Sequence, residues 1–224
     1  MRSAEDVIET LRGMGSPRDR EGMARFGINT ERALGISVTT LRGLAKEIGR
    51  DHALAGELWD SGIHEARLLA TLVDDPPAVT SEQMEAWAAD FDSWDLCDQC
   101  CMNLFWRTPY MVEKASEWAQ RDEEFVKRAA FALMARLATK KAKAPDELLE
   151  SFLPIIERAA DDDRNFVRKA VNWALRQIGK SNRHLNAKAI ESAQRIRAQD
   201  TNSARWIAND ALRELTSGKV QARL

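Results

Sequence analysis

Phe125-Val126-Lys127-Arg128-Ala129 and Phe166-Val167-Arg168-Lys169-Ala170 are near copies of one another, 41 residues apart, and each follows an acidic cluster. Ala174-Leu175-Arg176 likewise returns as Ala211-Leu212-Arg213 after 37 residues. Outward from these copies, apolar residues recur at helical spacing along the whole chain, and strict alternation of period two is absent. Breaks are expected at Gly13 to Pro17, Gly35, Gly62, Pro76-Pro77, Pro109, Pro145, Gly179 to Asn182 and Gly218. Helix starts are signalled by Ser81, Asp92-Ser93, Pro145-Asp146-Glu147 and Asp200-Thr201, whose side chains or charges suit exposed N–H groups. Pro154 lies inside a helical stretch and predicts a kink or break there.

A period near 40 with two helices per unit is the pattern of HEAT and armadillo repeats. One helix pair cannot bury its apolar face alone, so neighbours must stack. The expected fold class is therefore all-α, a HEAT-like or armadillo-type α-solenoid of antiparallel helix pairs. With no linker or low-complexity segment in view, a single domain over 1–224 is the simplest partition.

Composition agrees with a soluble globular chain: 44% hydrophobic and 30% charged, over 224 residues. Six prolines and one tyrosine, against many Ala, Leu, Glu and Arg, favour helix over sheet. No run reaches the roughly 18 to 20 apolar residues that span a bilayer. Met1-Arg2-Ser3-Ala4-Glu5-Asp6 turns acidic at once, unlike a signal peptide, so a cytoplasmic protein with no membrane partner is expected. Cys97, Cys100 and Cys101 are odd in number and clustered, which does not make a disulfide framework. No second Cys or His pair stands at zinc-ligand spacing, and His52, His64 and His184 are scattered, so buried helix cysteines are the better account. No metal and no cofactor is expected, and nothing demands more than a monomer.

The net charge of −2 hides a polarity. Residues 1–118 hold 12 Lys and Arg against 21 Asp and Glu, a balance of −9, and the remainder holds 21 against 14, a balance of +7. Affinity for phosphate depends on the local field, so a basic C-terminal half suits a nucleic-acid partner. Two differently charged solvated faces would give the same count.

The densest candidate for chemistry is Phe91-Asp92-Ser93-Trp94-Asp95-Leu96-Cys97-Asp98. Trp94 and Asp98 are four apart on a predicted helix and share a face. The same residues have a purely structural reading, in which Asp92 caps, Asp95 suits the helix dipole and Trp94 packs. Arg128 offers a guanidinium that can grip phosphate through paired hydrogen bonds. Arg168 and Lys169 form a basic pair, and Trp173 lies four residues beyond Lys169 on the same face. Such a tryptophan can stack on a sugar or base, or can belong to the core.

The chain resembles the AlkD-type DNA alkylation repair glycosylases from roughly residue 25 to 217. The resemblance rests on four blocks in order: Trp59-Asp-Ser-Gly-Ile-His-Glu-Ala-Arg67, Ser93-Trp-Asp-Leu-Cys-Asp98, Phe125-Val-Lys-Arg-Ala129 and Phe166-Val-Arg-Lys-Ala-Val-Asn-Trp-Ala-Leu-Arg-Gln-Ile-Gly179. It implies a monofunctional glycosylase that hydrolyses the N-glycosidic bond of cationic alkylated purines, such as N3-methyladenine and N7-methylguanine, in double-stranded DNA. Carried over residue by residue, Asp98 is the catalytic carboxylate, and Trp94, Arg128 and Trp173 line the DNA-binding face. Where the family has an aromatic-rich N-terminal stretch, Glu21-Gly-Met-Ala-Arg-Phe26 offers only Phe26. Two other functions fit the same repeats: a non-catalytic HEAT-like module that binds nucleic acid, which would not need Asp98, and a protein-interaction scaffold.

Overall fold

The computed structural model describes residues 3–224, so Met1 and Arg2 of the opening acidic segment lie outside the described residues. All regular structure among the described residues is helical. The chain divides into two compact units, Met1–Tyr110 and Met111–Leu224. None of its described helices is long and apolar enough to cross a membrane.

The N-terminal unit contains α1 (Ala4–Met14), α2 (Pro17–Ala24), α3 (Val38–Ile48), α4 (His52–Asp60), α5 (His64–Val73), α6 (Ser81–Ala89) and α7 (Trp94–Asn103). Two 3₁₀ turns, Pro76–Ala78 and Phe105–Arg107, complete it. The C-terminal unit contains α8 (Met111–Trp118), α9 (Glu124–Leu137), α10 (Asp146–Ser151), α11 (Leu153–Arg158), α12 (Asn165–Gly179), α13 (Arg183–Ala198), α14 (Asn202–Leu215) and the short α15 (Gly218–Gln221).

Many helix starts are capped by a hydroxyl or carboxylate that accepts an otherwise unpaired N–H. Ser3 forms a capping box with Asp6, Ser37 accepts from Thr40 and Asp51 from Leu54. At the expected Ser81 start the cap is Thr80, one residue earlier, and Ser81 is already helical. Of Asp200-Thr201, Thr201 caps α14, while Asp200 takes a left-handed backbone with φ 59°. Before α7, Ser93 occupies the cap position but makes no capping bond. Its hydroxyl donates to Asp92, and Asp92 accepts from the side-chain amide of Asn29. Asp92 thus ties a loop down rather than capping the helix. The Pro154 break falls as expected, between α10 and α11.

Each unit carries its period as side-chain links between successive repeats. In the C-terminal unit, Arg128 reaches Phe166, Asn172 reaches Asp210 and Arg176 reaches Glu214, each across 38 residues. The rings of Phe125 and Phe166, the two copies of one repeat position, lie 5.6 Å apart. α9 is the hub: Ala129 through Leu137 are all buried, as expected of a helix covered on every side. In the N-terminal unit the links are shorter. Trp59 to Asp90, His64 to Asp95 and Leu34 to Glu65 each span 31 residues. Its core holds Trp59 stacked on Trp87, 4.0 Å between centroids, with Phe91 and Phe105 against them.

Candidate nucleic-acid interface

In the N-terminal unit the candidate residues ride on α7. Leu96, Cys97, Cys100 and Cys101 form its buried stripe, and burial pushes the Cys100 thiol well above its ordinary range. Trp94, Asp98 and Met102 then fall on the opposite, half-buried stripe, at successive i, i+4 positions. The Trp94 indole N–H donates to the Phe26 carbonyl at 2.9 Å, which fixes the ring's direction. Phe26 itself is 72% exposed, at the end of a segment whose helix α2 buries no residue. A concavity of about 550 Å³ lies along that segment, lined by Arg18, Met23, Arg25 and Phe26 among others.

Asp95 has a more specific task than complementing a helix dipole. Its carboxylate takes the buried His64 ring at 2.9 Å, which pins the first turn of α7 to α5. Burial works against charge on both groups. The Asp95 hydrogen bond and charge nevertheless raise the His64 pKa above its ordinary value, and His64 lowers that of Asp95 in return. His64 Nδ1 and Asp95 Oδ1 are both buried without a partner.

The rest of the block from Trp59 to Arg67 is equally structural. The fully buried Glu65 accepts from the backbone N–H groups of Leu34 and Gly35 at 2.7 Å and of Ile36 at 3.2 Å. Gly35 has φ 83°, and a Cβ there would meet the Ser16 carbonyl oxygen at 2.2 Å, so glycine is required. Arg67 lies over the Trp59 ring and bridges to Asp90 at 3.0 Å, where Trp59 also donates.

In the C-terminal unit α9 and α12 bring Arg128 and the Arg168–Trp173 stretch together. Arg128 is 7% exposed, and its Nη1 donates to the Phe166 carbonyl at 2.7 Å. It therefore braces the start of the next repeat, an arrangement invisible in sequence because the acceptor is backbone. Lys169 is exposed and Trp173 half-buried on the same face of α12. Arg168 lies over the Trp206 ring of α14, 5.2 Å from its centroid. Trp206, 38% exposed, is an aromatic that sequence reading passed over.

The charge polarity follows the division into units. Residues 1–110 hold 11 basic against 19 acidic residues, and residues 111–224 hold 22 against 16, balances of −8 and +6. Several C-terminal cations are already neutralised. Asp162 sits between Lys127 and Arg164, and although burial opposes it, their hydrogen bonds hold its carboxyl down to about 2. Arg176 and Lys180 both bind Glu214.

A model of the DNA alkylation repair enzyme family matches residues 7–215. No curated protein matches the chain in sequence. Among solved structures, one described as a new family of proteins related to the HEAT-like repeat DNA glycosylases, with affinity for branched DNA structures, superposes with a TM-score of 0.77. It is 18% identical, and 95% of each chain is covered. An engineered protein (15% identical, 97% of this chain and 100% of that one) and a designed armadillo repeat protein (15%, 80% and 93%) superpose far more loosely, with TM-scores of 0.42 and 0.36.

Proposed function

This chain belongs to the DNA alkylation repair enzyme family, and from that premise we propose that it is a monofunctional DNA glycosylase that releases cationic alkylated purines, N3-methyladenine and N7-methylguanine, from double-stranded DNA. The observation that carries the reading is the stripe of α7 on which Trp94 and Asp98 stand one turn apart. That stripe is held from behind by the buried cysteines and by the His64–Asp95 pair.

Alkylation at N3 or N7 leaves a positive charge on the base, so the base is already a good leaving group. When the glycosidic bond breaks, its electron pair goes to the base nitrogen and neutralises it, and C1′ becomes oxocarbenium-like. The Asp98 carboxylate stabilises that developing charge and orients a water, whose oxygen bonds to C1′ while its proton passes to solvent. The indole face of Trp94 attracts the same positive charge and packs on deoxyribose, and Trp173, in the C-terminal unit, offers an indole face to DNA. Lys169, Arg168 and Arg128 contact phosphate and set register. Arg128 does so from a position already fixed by the Phe166 carbonyl, so little side-chain freedom remains to be lost. The half-buried setting of Trp94 and Asp98 fits attack from the backbone side.

The test is base release from a methylated duplex by the parent and by Asp98→Asn. Turnover by the parent, its loss in the variant and unchanged or tighter DNA binding are expected. Equal release by both would remove Asp98 from the mechanism. A non-catalytic DNA-binding role is the second reading, favoured by the affinity for branched DNA in the description of the structurally similar protein. It predicts binding without release by either protein.

A further inference from the structure

Register between the repeats places Lys127, Arg168 and Arg205 at one equivalent position and Arg128, Lys169 and Trp206 at the next. In the first row, two of the three cations are spent. Lys127 is bound to Asp162 at 3.0 Å, and Arg205 is bound to Asp200 and Asn202. Arg168 differs: its side chain forms no hydrogen bond or ion pair with any described residue, and its Nε is buried with no acceptor. The nearby acids do not compensate it. Asp162 is taken by Lys127 and Arg164, and Asp210 by Arg176, Asn172 and Arg213. What holds Arg168 is the Trp206 ring, 5.2 Å from its guanidinium carbon. A guanidinium over an indole gains cation–π attraction and keeps its outer N–H groups available for two oxygens of a phosphate. The Trp206 indole meanwhile remains more than a third exposed, an unusual state for so large an apolar group beside an uncompensated charge.

We propose that Arg168 and Trp206 form a second nucleic-acid contact, a platform for a nucleotide whose base has left the stack, with the base on the open indole surface and its phosphate on Arg168 and the exposed Lys169. The proposal rests on the reading that the chain binds DNA, and it adds a ligand class to it. A base inside a continuous duplex has no free face to offer, whereas one at a gap, bulge or strand junction does. Stacking on an aromatic side chain accepts any base, because every base has a π-face. The pair sits on α12 and α14 of the C-terminal unit and includes no residue assigned to the bond-breaking step, so it acts on binding.

The test compares two labelled DNAs by fluorescence anisotropy: a continuous duplex, and the same duplex with one unpaired thymidine. The parent is expected to prefer the second. Trp206→Ala should remove that preference with a loss of roughly tenfold on the bulged DNA, while Trp206→Phe keeps it to within about threefold. Arg168→Gln should flatten the salt dependence of log K on both DNAs by about one phosphate contact. Base release from methylated duplex should stay near the parental rate in Trp206→Ala, because that residue touches no reacting atom. Retained preference in Trp206→Ala, at unchanged thermal stability, overturns the platform and leaves the pair as packing only. Equal losses on both DNAs overturn the stacking half. A parent that binds DNA with no preference for the unpaired nucleotide overturns this inference alone, while one that binds neither DNA overturns the DNA reading as well.

Discussion

Replacing Glu65 with Gln keeps the side chain's shape and removes its charge at a point where three backbone N–H groups converge. Oε1 accepts from Gly35 and Ile36, and Oε2 accepts from Leu34. With the amide oxygen on the Gly35 and Ile36 side, the amide nitrogen must face the Leu34 N–H, donor against donor. One charge-assisted bond, worth about 1.5–3 kcal/mol, is lost outright, and the other two weaken to neutral bonds. Relief of the buried carboxylate's desolvation offsets part of this. The net cost is about 2–4 kcal/mol for the N-terminal unit. At a urea m-value of about 2 kcal/mol/M, the midpoint should fall by roughly 1–2 M. Urea titration followed by circular dichroism measures the shift, and amide exchange at Leu34, Gly35 and Ile36 locates it. The same loop leads back to Phe26, whose carbonyl orients Trp94, so base release should slow in the variant even where it remains folded. A midpoint within about 0.3 M of the parent, with those amides still protected, would refute the reasoning.

Three further outcomes follow from groups already described. The raised pKa of His64 means that its contribution is full below about 6.5 and is lost as pH rises through the higher folded value. Asp95, lowered by its partner, contributes above its ordinary value near 3.8 and loses that as pH falls through its folded pKa. The N-terminal unit should therefore lose stability as pH rises above about 6.5, and His64→Gln should flatten that loss in urea midpoints taken at rising pH. Asp162, held at about 2, stabilises the C-terminal unit above about 3.8 and ceases to as pH falls through 2, so Asp162→Asn should cost far more at pH 7 than at pH 2. Gly179→Ala should cost about 1–3 kcal/mol in thermal melts, because the new methyl would meet Leu215 Cδ2 at 2.7 Å and Ala189 Cβ at 2.9 Å.

The C-terminal repeats were legible because their copies reuse residue types: Phe125 and Phe166 keep both the ring and the contact across 41 residues. The N-terminal repeats were not, because each link there uses a different chemistry. Trp59 donates to a carboxylate, His64 pairs with one and Glu65 accepts from backbone, so nothing repeats in the letters. Helix ends were readable to about one residue, as Thr80 in place of Ser81 illustrates, since either hydroxyl satisfies the same need. For the candidate site, helical spacing was enough to put Trp94 and Asp98 on one stripe. The burial of Arg128 was not readable, because a backbone carbonyl acceptor leaves no mark in sequence. Trp206 escaped notice because the repeat carries Lys169 and Arg128 at its equivalent positions, so the aromatic broke the pattern instead of extending it.

The reach of the inter-repeat links has a consequence for synthesis. Trp59 waits only 31 residues for Asp90, and Arg128 only 38 for Phe166. At a translation rate of about 5–20 residues per second, each waits a few seconds for its partner to be made. A nascent chain therefore closes one repeat as the next appears, and its unsatisfied polar groups stay confined to the newest repeat. Sequences that slow the ribosome should be tolerated almost anywhere along this message, and least within the 31 residues that separate His64, once made, from Asp95 in the first turn of α7, the helix on which the proposed chemistry depends.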